Sequence, residues 1–257
     1  MPAMTPLLEA NGRVATITLR RPKIANRLGP EDLDVLADHV AAVNADLNVL
    51  VLRVRGEGRY FCSGFDIKQL GGPDVEASGD GASRFGAVVD LVEQARPVTI
   101  AVIHGGVYGG ATDLALACDF RVGGSHAEMF MPAARLGLHF YRGGLERYVS
   151  RLGLDVAKRL FLTGEKLDAA AMTQCGFLTH RAATDEVDAT VEGLCRTLVG
   201  MAPIALLGMK KHLNRIALGR LDCDDLQRDV MRAAKSEDLR EGAAAWAAKR
   251  APAFTGR

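Results

Sequence analysis

Aromatic residues make up only 5% of the 257 residues, and neither sign of charge dominates, with 32 Lys and Arg against 31 Asp and Glu. A net charge of +1 supplies no overall field to hold nucleic acid or an anionic membrane, so neither is expected as a partner. Cysteine is sparse: Cys62, Cys118, Cys175, Cys195 and Cys223 are odd in number, and none is spaced as Cys-x-x-Cys. That usage points to buried thiols in a cytoplasmic protein rather than to a disulfide framework. No uncharged apolar stretch approaches the ~18 residues of a membrane span, and the first residues lack a basic, apolar leader pattern, so neither a span nor a signal peptide is expected. What is present, 48% hydrophobic residues, suffices for one or two globular domains with a sizeable core.

Periodicity places the elements. Arg13-Val-Ala-Thr-Ile-Thr-Leu19 alternates as a half-buried strand, with Asn11-Gly12 before it as a hairpin turn. Glu31 to Ala45 carries apolar residues at helical spacing, and Asn48 to Val54 follows as an apolar strand, an order that argues for α/β units. Gly71 to Gly86 reads as a loop leading into a helix. Pro97 to Ile103 is of buried-strand type and meets Gly105-Gly-Val-Tyr-Gly-Gly110 before a helical run from Ala111 to Cys118. Leu145 to Leu162, Asp168 to Cys175 and nearly everything from Ala202 to Pro252 read as helical.

Several chemistries lose their signatures. The glycine run at 105–110 has Ala111 where a phosphate-binding loop needs lysine, no Gly-x-Gly-x-x-Gly follows a strand, and no Gly-x-Ser-x-Gly elbow occurs. The six histidines form no metal-binding grouping, so no metal is expected. Positively, a glycine pair where a strand meets a helix lets first-turn N–H groups, that of Gly110 included, face a developing negative charge. A second turn, Phe61-Cys-Ser-Gly-Phe65, could add the Phe65 N–H as the other half of an oxyanion hole.

Five segments carry a resemblance: Arg20-Arg-Pro-Lys-Ile-Ala-Asn26, Gly56 to Ile67, Ala101 to Asp119, Leu162-Thr-Gly-Glu165 and Lys249-Arg-Ala-Pro-Ala-Phe254. In order and spacing they resemble the enoyl-CoA hydratase/isomerase (crotonase) superfamily over essentially the whole chain. The resemblance implies an α/β fold, a crotonase-like spiral of repeated ββα units over residues 1–200 with an acyl-CoA site. It also implies a C-terminal helical oligomerisation region over 201–257 that builds a homotrimer or homohexamer. The implied substrate is an acyl-CoA thioester, with coenzyme A as part of the substrate and no separate cofactor.

Carried over by position, Phe65 and Gly110 match the two backbone donors to the thioester carbonyl. Asp66, Ile67 and Lys68 match the segment beside bound CoA, and Lys23, Ile24 and Asn26 match a loop near its adenine end. Asp66 could equally cap a helix starting at Ile67. Asp113 matches the first catalytic glutamate of the hydratases. The second is replaced by Ala133, which can neither accept nor donate a proton, so ordinary hydration is in doubt. His139 and Tyr141 occupy a stretch that departs from the hydratases, and Tyr141 stands where aryl-CoA dehalogenases of the family hold an aspartate. Asp113 as base and Tyr141 as donor or orienting hydroxyl are therefore the expected catalytic pair, with His139 a further substrate contact. His104 reads as a strand-end residue. The expected activity is that of an enoyl-CoA hydratase-like lyase. Isomerisation, decarboxylation, CoA-ester hydrolysis and a noncatalytic acyl-CoA binder remain open alternatives.

Overall fold

Gly12, at φ +57°, turns the chain between β1 (Leu7–Asn11) and β2 (Val14–Leu19), which pair antiparallel with Asn11 opposite Val14. The structure, a computed structural model, describes residues 4–66 and 81–257. The first helix, α1 (Pro30–Ala45), starts where the Asp32 carboxylate accepts the Gly29 N–H at 2.7 Å, and it buries Leu33, Leu36, Val40 and Val43 along one face.

Three successive ββα turns follow: β3 (Val51–Gly56), β4 (Tyr60–Cys62) and α2 (Gly81–Glu93); β5 (Val98–Ile103), β6 (Gly106–Tyr108) and α3 (Gly110–Ala117); β7 (Phe120–Gly123), β8 (Glu128–Phe130) and α4 (Arg142–Leu152). In each turn the first strand joins a six-stranded sheet, order β1-β2-β3-β5-β7 with β10 (His180–Arg181) at its edge, and the second joins a four-stranded sheet, order β4-β6-β8 with β9 (Lys166–Asp168) at its edge. Because each helix carries the chain back to the same end, equivalent strands of consecutive turns lie parallel, with Val51 opposite Val98 and Val107 opposite Met129. This is the expected spiral. The expected loop of 71–86 lies outside the described residues as far as Asp80, and its helix begins at Gly81.

The sheets close through β9 (Lys166–Asp168) and β10 (His180–Arg181), with α5 (Leu154–Thr163) and α6 (Ala169–Gln174) between α4 and β10. All six residues of β5 are buried because both faces of this central strand are covered. Val98, Ile100 and Val102 pack toward α7 (Val187–Val199), whereas Ala101 and Ile103 face the main core. The α7 stripe of Val187, Val191 and Leu198 stabilises that outer layer by about 1.5–3 kcal/mol per side chain.

The helical run expected after Ala202 is divided into α8 (Pro203–Ala217), α9 (Cys223–Ala234) and α10 (Glu237–Ala247). Asp222 and Ser236 restart the chain by accepting the N–H groups of Asp225 (2.9 Å) and Leu239 (3.0 Å). Lys210 of α8 reaches into the core, where its ammonium meets the Asp119 carboxylate at 2.8 Å. Leu213, Ile216, Val230, Met231, Leu239 and Trp246 lie exposed on these three helices, Trp246 by 87%.

Candidate active site

Two turns at corresponding ends of β4 and β6 meet at the start of α3. The first is pinned by a short parallel bridge: Leu28 N–H donates to the Gly64 carbonyl and Asp66 N–H to the Leu28 carbonyl, each at 2.9 Å. In such a bridge the neighbours of Phe65 make both bonds, so its own N–H faces away from Leu28. The second turn is held by Gly109 N–H donating to the Phe130 carbonyl at 2.8 Å. Gly110 follows as the first residue of α3, where a helix leaves its N–H groups without intrahelical acceptors. The turns touch so closely that a Cβ on Gly64, whose φ is +85°, would stand 2.7 Å from the Gly110 nitrogen and 3.2 Å from that of Ala111.

One turn into the otherwise apolar α3 lies Asp113, with 0% of its surface exposed. A buried carboxylate needs compensation, and Arg147 of α4 supplies it. Arg147 Nε and Nη2 donate to the two Asp113 oxygens at 3.0 and 2.9 Å, and Nη1 donates to Asp90 (2.8 Å) and Glu93 (2.7 Å) of α2. Burial alone would lower the Arg147 pKa, but its bonds to Asp113 and the charges of Asp113, Glu93 and Asp90 raise it overall, so the guanidinium is permanently charged. Removing it would strand buried carboxylates, at a cost of about 3–5 kcal/mol.

The Tyr141 hydroxyl donates to Asp113 Oδ2. Burial first, and the Asp113 charge second, push the Tyr141 pKa well above its ordinary value, so the phenol keeps its proton. Its ring stacks on Phe140 at 4.5 Å between centroids and meets Phe85 edge-on at 6.2 Å, and Phe85 lies 6.1 Å from Phe65. Phe85 also abuts Gly110, where an added Cβ would come within 2.8 Å of its ring. An aromatic wall thus runs from the two turns to Tyr141. Behind it, Thr112 and the Tyr148 hydroxyl are hydrogen-bonded.

The profile of the enoyl-CoA hydratase/isomerase family matches residues 9–257. The chain belongs to the enoyl-CoA hydratase/isomerase family. It is 29% identical to the 2,3-dehydroadipyl-CoA hydratase of Escherichia coli (strain K12) over 249 residues, covering 95% of this chain and 96% of that protein. It is 28% identical to the carnitinyl-CoA dehydratase of Proteus mirabilis (strain HI4320) over 259 residues, with 97% and 98% covered. Among solved structures, an enoyl-CoA hydratase from Bacillus anthracis superposes with a TM-score of 0.88 at 26% identity, covering 98% of this chain and 100% of that one.

Within this family member the structure brings Phe65, Gly110, Asp113 and Tyr141 together, but in layers. Asp113 lies beneath Tyr141 with both oxygens engaged, Oδ2 by the Tyr141 hydroxyl and both by Arg147. Asn26, expected at the adenine end of CoA, is instead buried framework. Its amide donates to the carbonyls of Glu57 (2.9 Å), Tyr60 (2.8 Å) and Phe61 (3.2 Å), and its oxygen accepts the Arg21 N–H at 2.9 Å, so no hydrogen-bonding end faces outward. Lys23 and Ile24 stay exposed on the short turn Pro22–Ile24. Asp66 pairs with Arg27 at 3.5 Å, whereas Ile67 and Lys68, and hence any cap on a helix starting there, lie outside the described residues.

His139 is exposed and its Nδ1 donates to the Phe140 carbonyl at 2.8 Å, away from the cluster under Tyr141. His104 bonds the Gly58 carbonyl at 2.8 Å, the strand-end role expected of it. Cys62, beside the Phe65 turn, is pushed up to about 12 by burial, which makes it a packing residue and not a nucleophile. Among the described residues His212, Asp225 and Asp229 could crowd a metal ion, but Lys211 lies 2.7 Å and Arg215 2.6 Å from Asp225, so cationic side chains already neutralise the group. Arg147, Glu93 and Phe85 escaped the reading of the sequence. The available signal was Asp113 itself, a charge in an apolar helix that demands a cation from elsewhere.

Proposed function

We propose that this chain acts on an acyl-CoA thioester through an enolate whose oxygen is held by the N–H groups of Phe65 and Gly110. The observation that carries the reading is the contact between two glycine turns whose Phe65 and Gly110 N–H groups donate to no acceptor among the described residues. Two such donors stabilise charge as it develops on the thioester oxygen and gain little from the neutral carbonyl, which is the condition for accelerating the step. Phe85 and Phe65 make the adjoining surface apolar, suited to the acyl chain and to excluding water. The reaction needs no cofactor beyond the CoA of the substrate, and the free, mostly buried cysteines suit a cytoplasmic setting.

The formal class is an enoyl-CoA hydratase-like lyase or another enolate reaction: isomerisation, decarboxylation or thioester hydrolysis. Ala133 is buried and offers no proton, and Asp113 is clamped by Arg147, so crotonyl-CoA hydration is slower than a two-carboxylate site achieves, by about 10²–10⁴. The same clamped carboxylate favours, as a second reading, an acyl-CoA binder without turnover. Deuterium exchange at C2 of butyryl-CoA in D₂O, together with product-resolved turnover of mixed acyl-CoAs, separates the two. Binding with exchange supports the enolate reading, and binding with neither exchange nor product leaves the binder.

A further inference from the structure

The turn that carries the Phe65 N–H leans on a neighbouring segment for its shape. β4 slips register between Tyr60 and Cys62 and ends there, and the residues that follow are held from one side by 25–28. Ser63 N–H donates to the Ala25 carbonyl, Leu28 N–H to the Gly64 carbonyl and Asp66 N–H to the Leu28 carbonyl, each at 2.9 Å. These bonds persist only while 25–28 keeps its own conformation, and that conformation is one L residues disfavour. Ala25 and Asn26 stand at φ +52° and +53°, two left-handed residues in succession with no glycine between them.

Asn26 offsets that strain. Its buried amide donates to the carbonyls of Glu57, Tyr60 and Phe61, and its Oδ1 accepts the Arg21 N–H. Its own N–H donates to the Arg21 carbonyl at 2.9 Å, and its carbonyl accepts the Cys62 thiol at 3.0 Å. Every polar atom of the residue is thus spent tying 21–26 to 57–62. The side chain supplies two protons to three carbonyls, where a serine would have one and an ionised aspartate none. Gly56 leaves the room for it, since a Cβ there would stand 2.6 Å from Asn26 Nδ2.

We propose that Asn26 is the positioning residue of the oxyanion hole: it fixes the 25–28 segment and, through Ala25 and Leu28, the direction of the Phe65 N–H, without touching substrate. The proposal rests on the enolate reading above. Gly110 has its own support, in the Gly109 bond to Phe130 and the start of α3, so loss of the Asn26 amide misaligns one donor of the two.

The test is the infrared carbonyl band of butyryl-CoA, isotopically labelled at the thioester carbon, bound to the unmodified protein, Asn26→Gly, Asn26→Asp and Leu198→Ala. Donors that hold the carbonyl oxygen lower its stretching frequency, so the band reports the hole directly. Glycine accepts φ +53° readily and deletes only the side chain, whereas aspartate keeps the shape and the bond from Arg21. Leu198→Ala, in the α7 layer, lowers the melting temperature without touching the loop. Both Asn26 variants should still bind butyryl-CoA but lose much of the downshift, Asn26→Gly the more, and should exchange its C2 hydrogens about 10²-fold more slowly. Leu198→Ala should keep the full shift. If neither Asn26 variant folds, native-state hydrogen exchange of the unmodified protein decides: the Asn26, Leu28, Ser63 and Asp66 amides should open as one unit. A full downshift or loss of binding in folded Asn26→Gly, an equal loss in Leu198→Ala, or opening of Asn26 and Leu28 apart from Ser63 and Asp66 overturns the assignment and leaves the enolate reading intact. An unshifted band in the unmodified protein refutes the enolate reading itself and the assignment with it.

Discussion

Replacing Gly110 by proline deletes one of the two N–H groups proposed to hold the thioester oxygen, and the structure shows that it also adds atoms beside a buried ring. Any Cβ at this position stands 2.8 Å from Phe85 Cε1 and 2.9 Å from Cζ, closer than packed carbons tolerate, so Gly110→Ala and Gly110→Pro share an overpacking cost of about 1–3 kcal/mol. Proline suits the first residue of a helix, where its missing N–H costs no intrahelical bond, so the backbone accepts both variants. Their difference reports the lost donor together with the ring carbon that proline places on the same nitrogen, beside the tightly packed Gly64. Losing one such donor costs about 10²–10³ in rate, or about 2.7–4 kcal/mol of transition-state stabilisation. Gly110→Pro should turn over an acyl-CoA substrate that much more slowly than Gly110→Ala, with similar melting temperatures and similar affinity for the thioester. Single-turnover kinetics with separately measured binding reads the difference. Equal rates in two folded variants would refute the oxyanion assignment of Gly110.

Gly64→Ala should be worse than its one added methyl suggests, because φ is +85° and the Cβ meets the Gly110 nitrogen at 2.7 Å. Strain of about 1–2 kcal/mol should appear in thermal denaturation together with a loss of activity, whereas Gly12→Ala, at φ +57° with nothing within 4 Å, should show the strain alone. Because burial and Asp113 raise the Tyr141 pKa, the folded state holds this proton at a pH where the unfolded chain has lost it. Stability from this group is complete below about pH 10 and falls above it. Urea denaturation should show Tyr141→Phe losing about 1.4 kcal/mol less per pH unit above that point than the unmodified protein, and parallel curves would count against the shift. If the exposed Leu213, Ile216, Val230, Met231 and Trp246 are covered by further copies of the chain, light scattering should give about 82 kDa for a trimer or about 165 kDa for a hexamer of 27.5 kDa chains. A stable monomer at micromolar concentration would contradict this.

What can be read along the chain was legible because it is local. The hairpin at Asn11-Gly12, the β5 run at Val98–Ile103 and the glycine junction into α3 follow from turn chemistry and periodicity, which need only a few consecutive residues. The ordered motifs pointed to the family for the same reason. Asn26 shows where this stops: as a string it belongs to a surface loop, yet three carbonyls from the Glu57–Phe61 stretch draw its amide inward.

Asp113 and Tyr141 mark the same boundary at the site. Their types and positions were visible, but how the Asp113 oxygens are engaged was decided by Arg147, 34 residues beyond Asp113, which Glu93 and Asp90 hold from another helix. A side chain's charge is a property of the sequence. Its available lone pairs, its exposure and the direction of its proton depend on neighbours that only folding assembles, because hydrogen bonds and desolvation act over a few ångströms in space, whatever the separation along the chain.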